Sequence, residues 1–172
     1  VQFLKLGDEL GIISHNIPES IPWQAFSKEN VMELLEDQST FAKVATFDFW
    51  VRSTDRHDRN LIAQGIGNSK YKVYMIDHEH TLCGMDGNPV LEDFSNIIKI
   101  DNFKSYIPTQ ETLIMEVEKV EKISDDEIRG IIEEIKRNSE GQLGEEHAKI
   151  IKDLLVYRKG VLKTKLLEWY NN

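Results

Sequence analysis

Cysteine is almost absent from this chain. Cys83 stands alone, which excludes an internal disulfide and a cysteine-built zinc cage, and it is expected to be a half-buried thiol. Proline is scarce too, with four in 172 residues, and together with 40% hydrophobic residues this argues against intrinsic disorder. No apolar run approaches the ~20 residues that a membrane-crossing helix needs. Positive charge is in deficit: 21 Lys and Arg face 30 Asp and Glu, a net charge of -9. Attraction to a phosphate backbone is then no general driving force, and no nucleic-acid partner is expected. Nothing near the start reads as a charged segment followed by an apolar one, so a cytoplasmic setting is the expectation. Val1, rather than Met, is the start expected of a chain cut from a longer one. What remains is enough for one ordinary domain, hiding ~70% of its unfolded surface.

Gly7, Gly11, Pro18 and Pro22 punctuate residues 1–26, where little regular structure is expected and Trp23 reads as a loop anchor. Ser27 is a plausible cap for a first helix to about Asp37. A second helix, from about Ser39 to Arg52, carries Phe41, Val44, Ala45, Phe47, Trp50 and Val51 at helical spacing and reads as a core element. Leu61 to Gln64 and Tyr71 to Ile76 flank a glycine-containing turn, the pattern of a short hairpin. After a loop with Gly84, Gly87 and Pro89, helices are expected around Glu92 to Ile98 and from Gln110 to Lys122. Ser124-Asp125-Asp126-Glu127 is a capping box that opens another helix to about Asn138. Breaks at Gly141 and Gly144 precede a long last helix, Glu145 to Trp169, with an apolar stripe through Leu154, Leu162 and Leu166, and with Trp169 and Tyr170 packing its end. Residues 111–146 hold 12 acidic and 5 basic side chains, net -7, whereas residues 147–172 hold 6 basic and 2 acidic, net +4. Solvated helix faces account for both.

The chemistry-bearing stretch is 48–80. Asp55 and Asn60 are five positions apart in a loop between the core helix and the hairpin, and Asp77 follows just past the second strand. A hairpin returns the chain to where it began, which brings Asp77 beside Asn60. An Asn amide oxygen next to an Asp carboxylate makes a hard oxygen site for Mg²⁺, which keeps several waters and takes its other ligands from substrate phosphates. Asp55 on the same loop can accept a proton from an attacking hydroxyl. That is a minimal apparatus for phosphoryl transfer.

Phe47-Asp48-Phe49-Trp50-Val51, then Thr54-Asp55-Arg56-His57-Asp58-Arg59-Asn60-Leu61-Ile62, and Met75-Ile76-Asp77-His78-Glu79-His80-Thr81-Leu82, resemble the catalytic and metal-binding loops of HipA-like kinases. The Asp-Arg-His-x-x-Asn and Ile-Asp-x-x-His elements are also similar to those of phosphoinositide 3- and 4-kinases. The resemblance implies a mainly α fold with a small β-hairpin, like the C-terminal large lobe of the protein-kinase-like fold. Residues 27–172 would form that lobe, and residues 1–26 its loop-rich junction to a nucleotide lobe. It implies Asp55 as catalytic base, with Asn60 and Asp77 as Mg²⁺ ligands. His57 and His80 match histidines that assist proton transfer or contact phosphate. ATP is the implied donor, and a protein serine or threonine is favoured over a lipid headgroup or a small molecule as acceptor. Arg56 and Arg59 read as partners of nearby carboxylates.

This sequence departs from the pattern in two places. His78 and Glu79 follow Asp77 where ordinary kinases have Phe and Gly, and no Gly-rich loop or strand lysine precedes Asp55. An N-terminal lobe in the same or another chain would have to supply them. Three rivals are weaker: a metal-dependent phosphoesterase, a zinc site built from His57, His78 and His80, and a non-catalytic scaffold that keeps the kinase-like architecture.

Overall fold

The computed structural model describes residues 2–6, 9–13, 17–26, 30–82, 91–95, 97–139 and 142–172, with the backbone alone over 2–13. Ser27 as a helix cap, the Cys83 thiol, the loop containing Gly84, Gly87 and Pro89, and the breaks at Gly7 and Gly141 lie outside the described residues. The fold is mainly helical and carries a small three-stranded antiparallel sheet.

The N-terminal segment is more regular than its punctuation suggests. β1 (Gln2–Leu6) pairs antiparallel with β2 (Glu9–Ile13), because the short apolar pieces around Phe3 and Ile12 are strand formers that match each other in register. β3 (Ser20–Pro22) lines up on β4 (Leu61–Gly67), an edge position that tolerates Pro22. β4 then pairs with β5 (Lys70–Met75), with Leu61 opposite Met75 and Ala63 opposite Val73. The turn between them needs left-handed backbone at Gly67 (φ 93°), Asn68 (φ 49°) and Ser69 (φ 57°), which small and Asx-type residues accept most readily.

The first helix is cut down to α1 (Val31–Leu34). Asn30 enters it in the left-handed region, and Leu35 leaves it extended to bridge Tyr71, with the Glu36 N–H donating to the Tyr71 carbonyl at 2.9 Å. Burying Leu35 in the core outweighs one more helical turn. α2 (Thr40–Val51) matches its expected span and ends at Arg52, whose φ of 55° is the left-handed stop that closes a helix.

The expected helix at 92–98 is absent among the described residues. The Asp93 carboxylate accepts from the Ser95 N–H (2.9 Å) and hydroxyl (2.6 Å), a local turn that competes with helix. Residues 97–99 instead run beside the 55–60 loop, where the Arg56 N–H donates to Ile97 (3.3 Å) and the Lys99 N–H to Arg56 (2.8 Å). α3 (Gln110–Glu121) is capped by Thr109, α4 (Asp125–Asn138) by the Ser124–Glu127 capping box, and α5 (Glu145–Asn171) runs the length of the body.

Trp23 is no mere loop anchor. It is fully buried, stacks on Phe26 at 5.0 Å, and meets Phe41 and Tyr106 in the centre of the core. On α5 the row Leu154, Arg158, Leu162, Leu166 faces inward, and all four are buried completely. Arg158 satisfies its guanidinium with carbonyls alone, donating to Phe49 (2.8 Å from Nε) and to Leu91 and Asp93 (3.3 and 2.9 Å), beneath the Phe94 ring. It thereby fixes the end of α2 and the 91–94 segment to α5. Burial lowers its pKa to about 10, so it remains charged at neutral pH.

Candidate active site

Arg56 organises the loop. It has no exposed surface, and its guanidinium grips Asp48 of α2 in a two-point pair, Nε to Oδ2 at 2.7 Å and Nη2 to Oδ1 at 3.0 Å. Its remaining nitrogen, Nη1, donates to the carbonyls of Asn60 (2.8 Å) and Ile76 (3.2 Å). One buried cation thus ties helix, loop and the segment just after the hairpin together. The carboxylate partner expected for Arg56 is Asp48, eight residues away. Burial pushes the Asp48 carboxyl above its usual range, opposed by the bonds from Arg56.

Around this tie the backbone segments that carry Asp55, Asn60 and Asp77 adjoin one another. The Ile76 N–H donates to the Asn60 carbonyl at 3.0 Å, so Asp77 is the next residue along from the one paired with Asn60. Asn60 is nearly buried, and its Nδ2 donates to the Asp55 carbonyl at 2.8 Å, leaving Oδ1, the atom a hard cation would take, outside that bond. Asp77 is exposed and has a φ of 56°, a left-handed conformation uncommon for a residue with a side chain, and it turns the chain as it leaves β5. The segment that follows is pinned back on the loop: the His80 carbonyl accepts from the Thr54 N–H (3.1 Å), and the Leu82 N–H donates to Val51 (2.6 Å).

Asp55 is half-buried. Its Oδ1 lies 3.1 Å from the Lys99 ammonium and its Oδ2 lies 3.4 Å from Nε2 of His57. Partial burial pushes its carboxyl up, but the Lys99 bond and charge, with His57 and His80 behind them, outweigh that and hold it below the usual carboxylate range. The carboxylate is therefore ionised at neutral pH, the state a proton acceptor needs. His57 uses Nδ1 to accept the Arg59 N–H at 3.2 Å, which orients Nε2 toward Asp55. A polar cavity of about 320 Å³ opens beside these groups, lined by Gln24, His57, Asp58, Arg59, Lys99 and Asp101.

The histidines do not converge on one point. His57 faces Asp55, His80 lies 3.3 Å from Glu79, and the His78 ring sits edge-on to Phe47 at 5.7 Å. Among the described residues no group of three or more His, Cys, Asp or Glu is placed to hold a metal ion, so the three-histidine zinc site has no geometric support. The Asn60 and Asp77 pair is a different case, since Mg²⁺ can complete its shell with water and phosphate. Their hard oxygens fit that ion and suit zinc poorly.

Two participants escaped the sequence. Lys99 reaches Asp55 only through the non-local pairing of 97–99 with Arg56, and no motif announces it. Asp48 lies within the quoted Phe47-Asp48-Phe49 run, and a carboxylate amid core aromatics on a helix was the available signal. No family model matches the chain, and neither a curated protein nor a solved structure matches it. No helix among the described residues is long and apolar enough to cross a membrane.

Proposed function

We propose that this chain is the catalytic lobe of an ATP- and magnesium-dependent phosphotransferase resembling the HipA-like kinases, acting on a hydroxyl acceptor, with a protein serine or threonine favoured. The observation that carries this reading is the pairing of Ile76 with Asn60, held by Arg56, which puts Asp77, Asn60 and Asp55 on adjoining backbone segments. Mg²⁺ bound by Asn60 Oδ1 and the Asp77 carboxylate would neutralise the donor's phosphates. Asp55 takes the acceptor's proton as its oxygen bonds to the γ-phosphorus, while the bond from that phosphorus to the bridging oxygen breaks and ADP departs. Lys99 keeps Asp55 ionised beforehand through the 3.1 Å contact of its ammonium with Oδ1. His57 steadies the second Asp55 oxygen. His80, whose Nε2 lies 3.3 Å from Glu79, would be the histidine that contacts phosphate. The test is transfer of labelled γ-phosphoryl from ATP by the longest natural chain containing this lobe. Transfer is expected with Mg²⁺ and lost with a chelator, whereas no ATP binding and no transfer at any Mg²⁺ concentration would leave a scaffold in its place.

A further inference from the structure

The polar cavity beside Asp55 carries charges that the loop does not use for its own structure. Two of its walls are committed. Lys99 holds Asp55 Oδ1 at 3.1 Å, and His57 turns Nε2 toward Oδ2 while Nδ1 accepts the Arg59 N–H. Arg59 is different: its side chain is exposed, lines the cavity, and makes no hydrogen bond or ion pair with any described residue. The other five arginines of the chain all engage theirs, Arg52, Arg56 and Arg129 with carboxylates, Arg137 and Arg158 with backbone carbonyls. Arg59 reads in the sequence as the partner of a nearby carboxylate, and no described carboxylate takes that place. Asp101, which reaches the same cavity from the stretch after Lys99, is also exposed and without a partner among the described residues.

The cavity lies where an acceptor has to come. A hydroxyl that gives its proton to Asp55 must approach within about 3 Å of the carboxylate. His57 and Lys99, which stand against the two oxygens of that carboxylate, are both walls of the cavity. Groups on either side of the hydroxyl then meet Arg59 and Asp101. The lining holds no aliphatic side chain and no Phe, Tyr or Trp, so it offers no surface to an acyl chain, and Asp58 and Asp101 oppose a headgroup that carries only negative charge.

We propose that this cavity is the acceptor subsite, and that it takes a polypeptide segment whose serine or threonine has a carboxylate side chain nearby, met by Arg59, and a cationic one, met by Asp101. The inference rests on the phosphotransferase reading and adds to it the acceptor's charge pattern and the two residues that select it. A guanidinium suits the first role because its planar fork takes a carboxylate at two points.

The probe is a set of synthetic peptides with one serine in an alanine and glycine background, with Glu or Lys placed in turn at each neighbouring position. They are offered with ATP and Mg²⁺ to the longest natural chain containing this lobe. At one position Glu is expected to exceed Lys by about tenfold in kcat/KM, and Arg59→Glu should reverse that order. At another position Lys should exceed Glu, and Asp101→Lys should reverse that. Arg137→Glu, an equal change of charge on α4, should leave both preferences as they were. All three side chains are exposed, so the variants should fold, as circular dichroism would verify. Preferences that survive Arg59→Glu and Asp101→Lys unchanged would overturn the inference and leave the phosphotransferase reading standing. Faster transfer to phosphatidylinositol vesicles than to any peptide would overturn it by making a lipid the acceptor. An absence of both ATP binding and transfer would remove the inference together with the reading beneath it.

Discussion

Replacing Asp55 with Asn should cut phosphoryl transfer by about a thousandfold while leaving the fold and magnesium-dependent ATP binding in place. The estimate follows from what a positioned general base contributes, about 10² to 10⁴ in rate. Asn keeps the shape of the side chain and can still contact Lys99, but it cannot take a proton. Because Asn60 is anchored by the Asp55 backbone carbonyl and not by its carboxylate, the proposed metal ligands should be undisturbed. The informative pattern is therefore a fall in kcat with little change in the KM for ATP. A variant within about tenfold of the wild-type rate would remove Asp55 from the role of base.

The second large effect is on stability. Arg56→Leu would leave Asp48 in the core without a cation, held only by the Ser53 hydroxyl, and take donors from the carbonyls of Asn60 and Ile76. Breaking a buried pair on one side typically costs about 3–5 kcal/mol, a large part of the 5–15 kcal/mol that holds a domain together. Urea denaturation should show a loss of that order, and the Asp48→Leu/Arg56→Leu double variant should recover part of it, since no orphaned charge remains. A loss below about 1 kcal/mol would mean that Arg56 is not the tie that organises the loop. Because the same guanidinium sets the spacing of Asn60 and Asp77, activity should fall further than stability does, even in variants that stay folded.

Much of this architecture was legible because its signals are local. α2, α3, the capping box of α4 and the long α5 each announce themselves within one window of sequence, and the β4–β5 hairpin does so through its turn. Misreadings cluster where distant residues decide. α1 stops early because Leu35 goes to the core and its neighbour pairs with Tyr71. The helix expected at 92–98 yields to Asp93 bonding Ser95 and to Arg158 claiming the carbonyls of Leu91 and Asp93. Arg158 itself sits in the apolar row of α5, where a charged residue reads as a break in the stripe until its carbonyl partners are known. At the site, the motif spacing pointed to Asp55, Asn60 and Asp77. Lys99, 44 residues from Asp55, could be found only once 97–99 was seen beside Arg56.

The central claim is that Asn60 and Asp77 share one divalent cation beside Asp55. Its most direct test is paramagnetic relaxation by Mn²⁺, titrated into isotope-labelled protein with and without ATP. Resonances of Asn60 and Asp77 should broaden first and together, Mg²⁺ should reverse the effect, and Asp77→Asn should abolish it. Broadening that begins elsewhere, for instance at the acidic first turn of α4 (Asp125, Asp126 and Glu127), or that persists unchanged in Asp77→Asn, would contradict the claim.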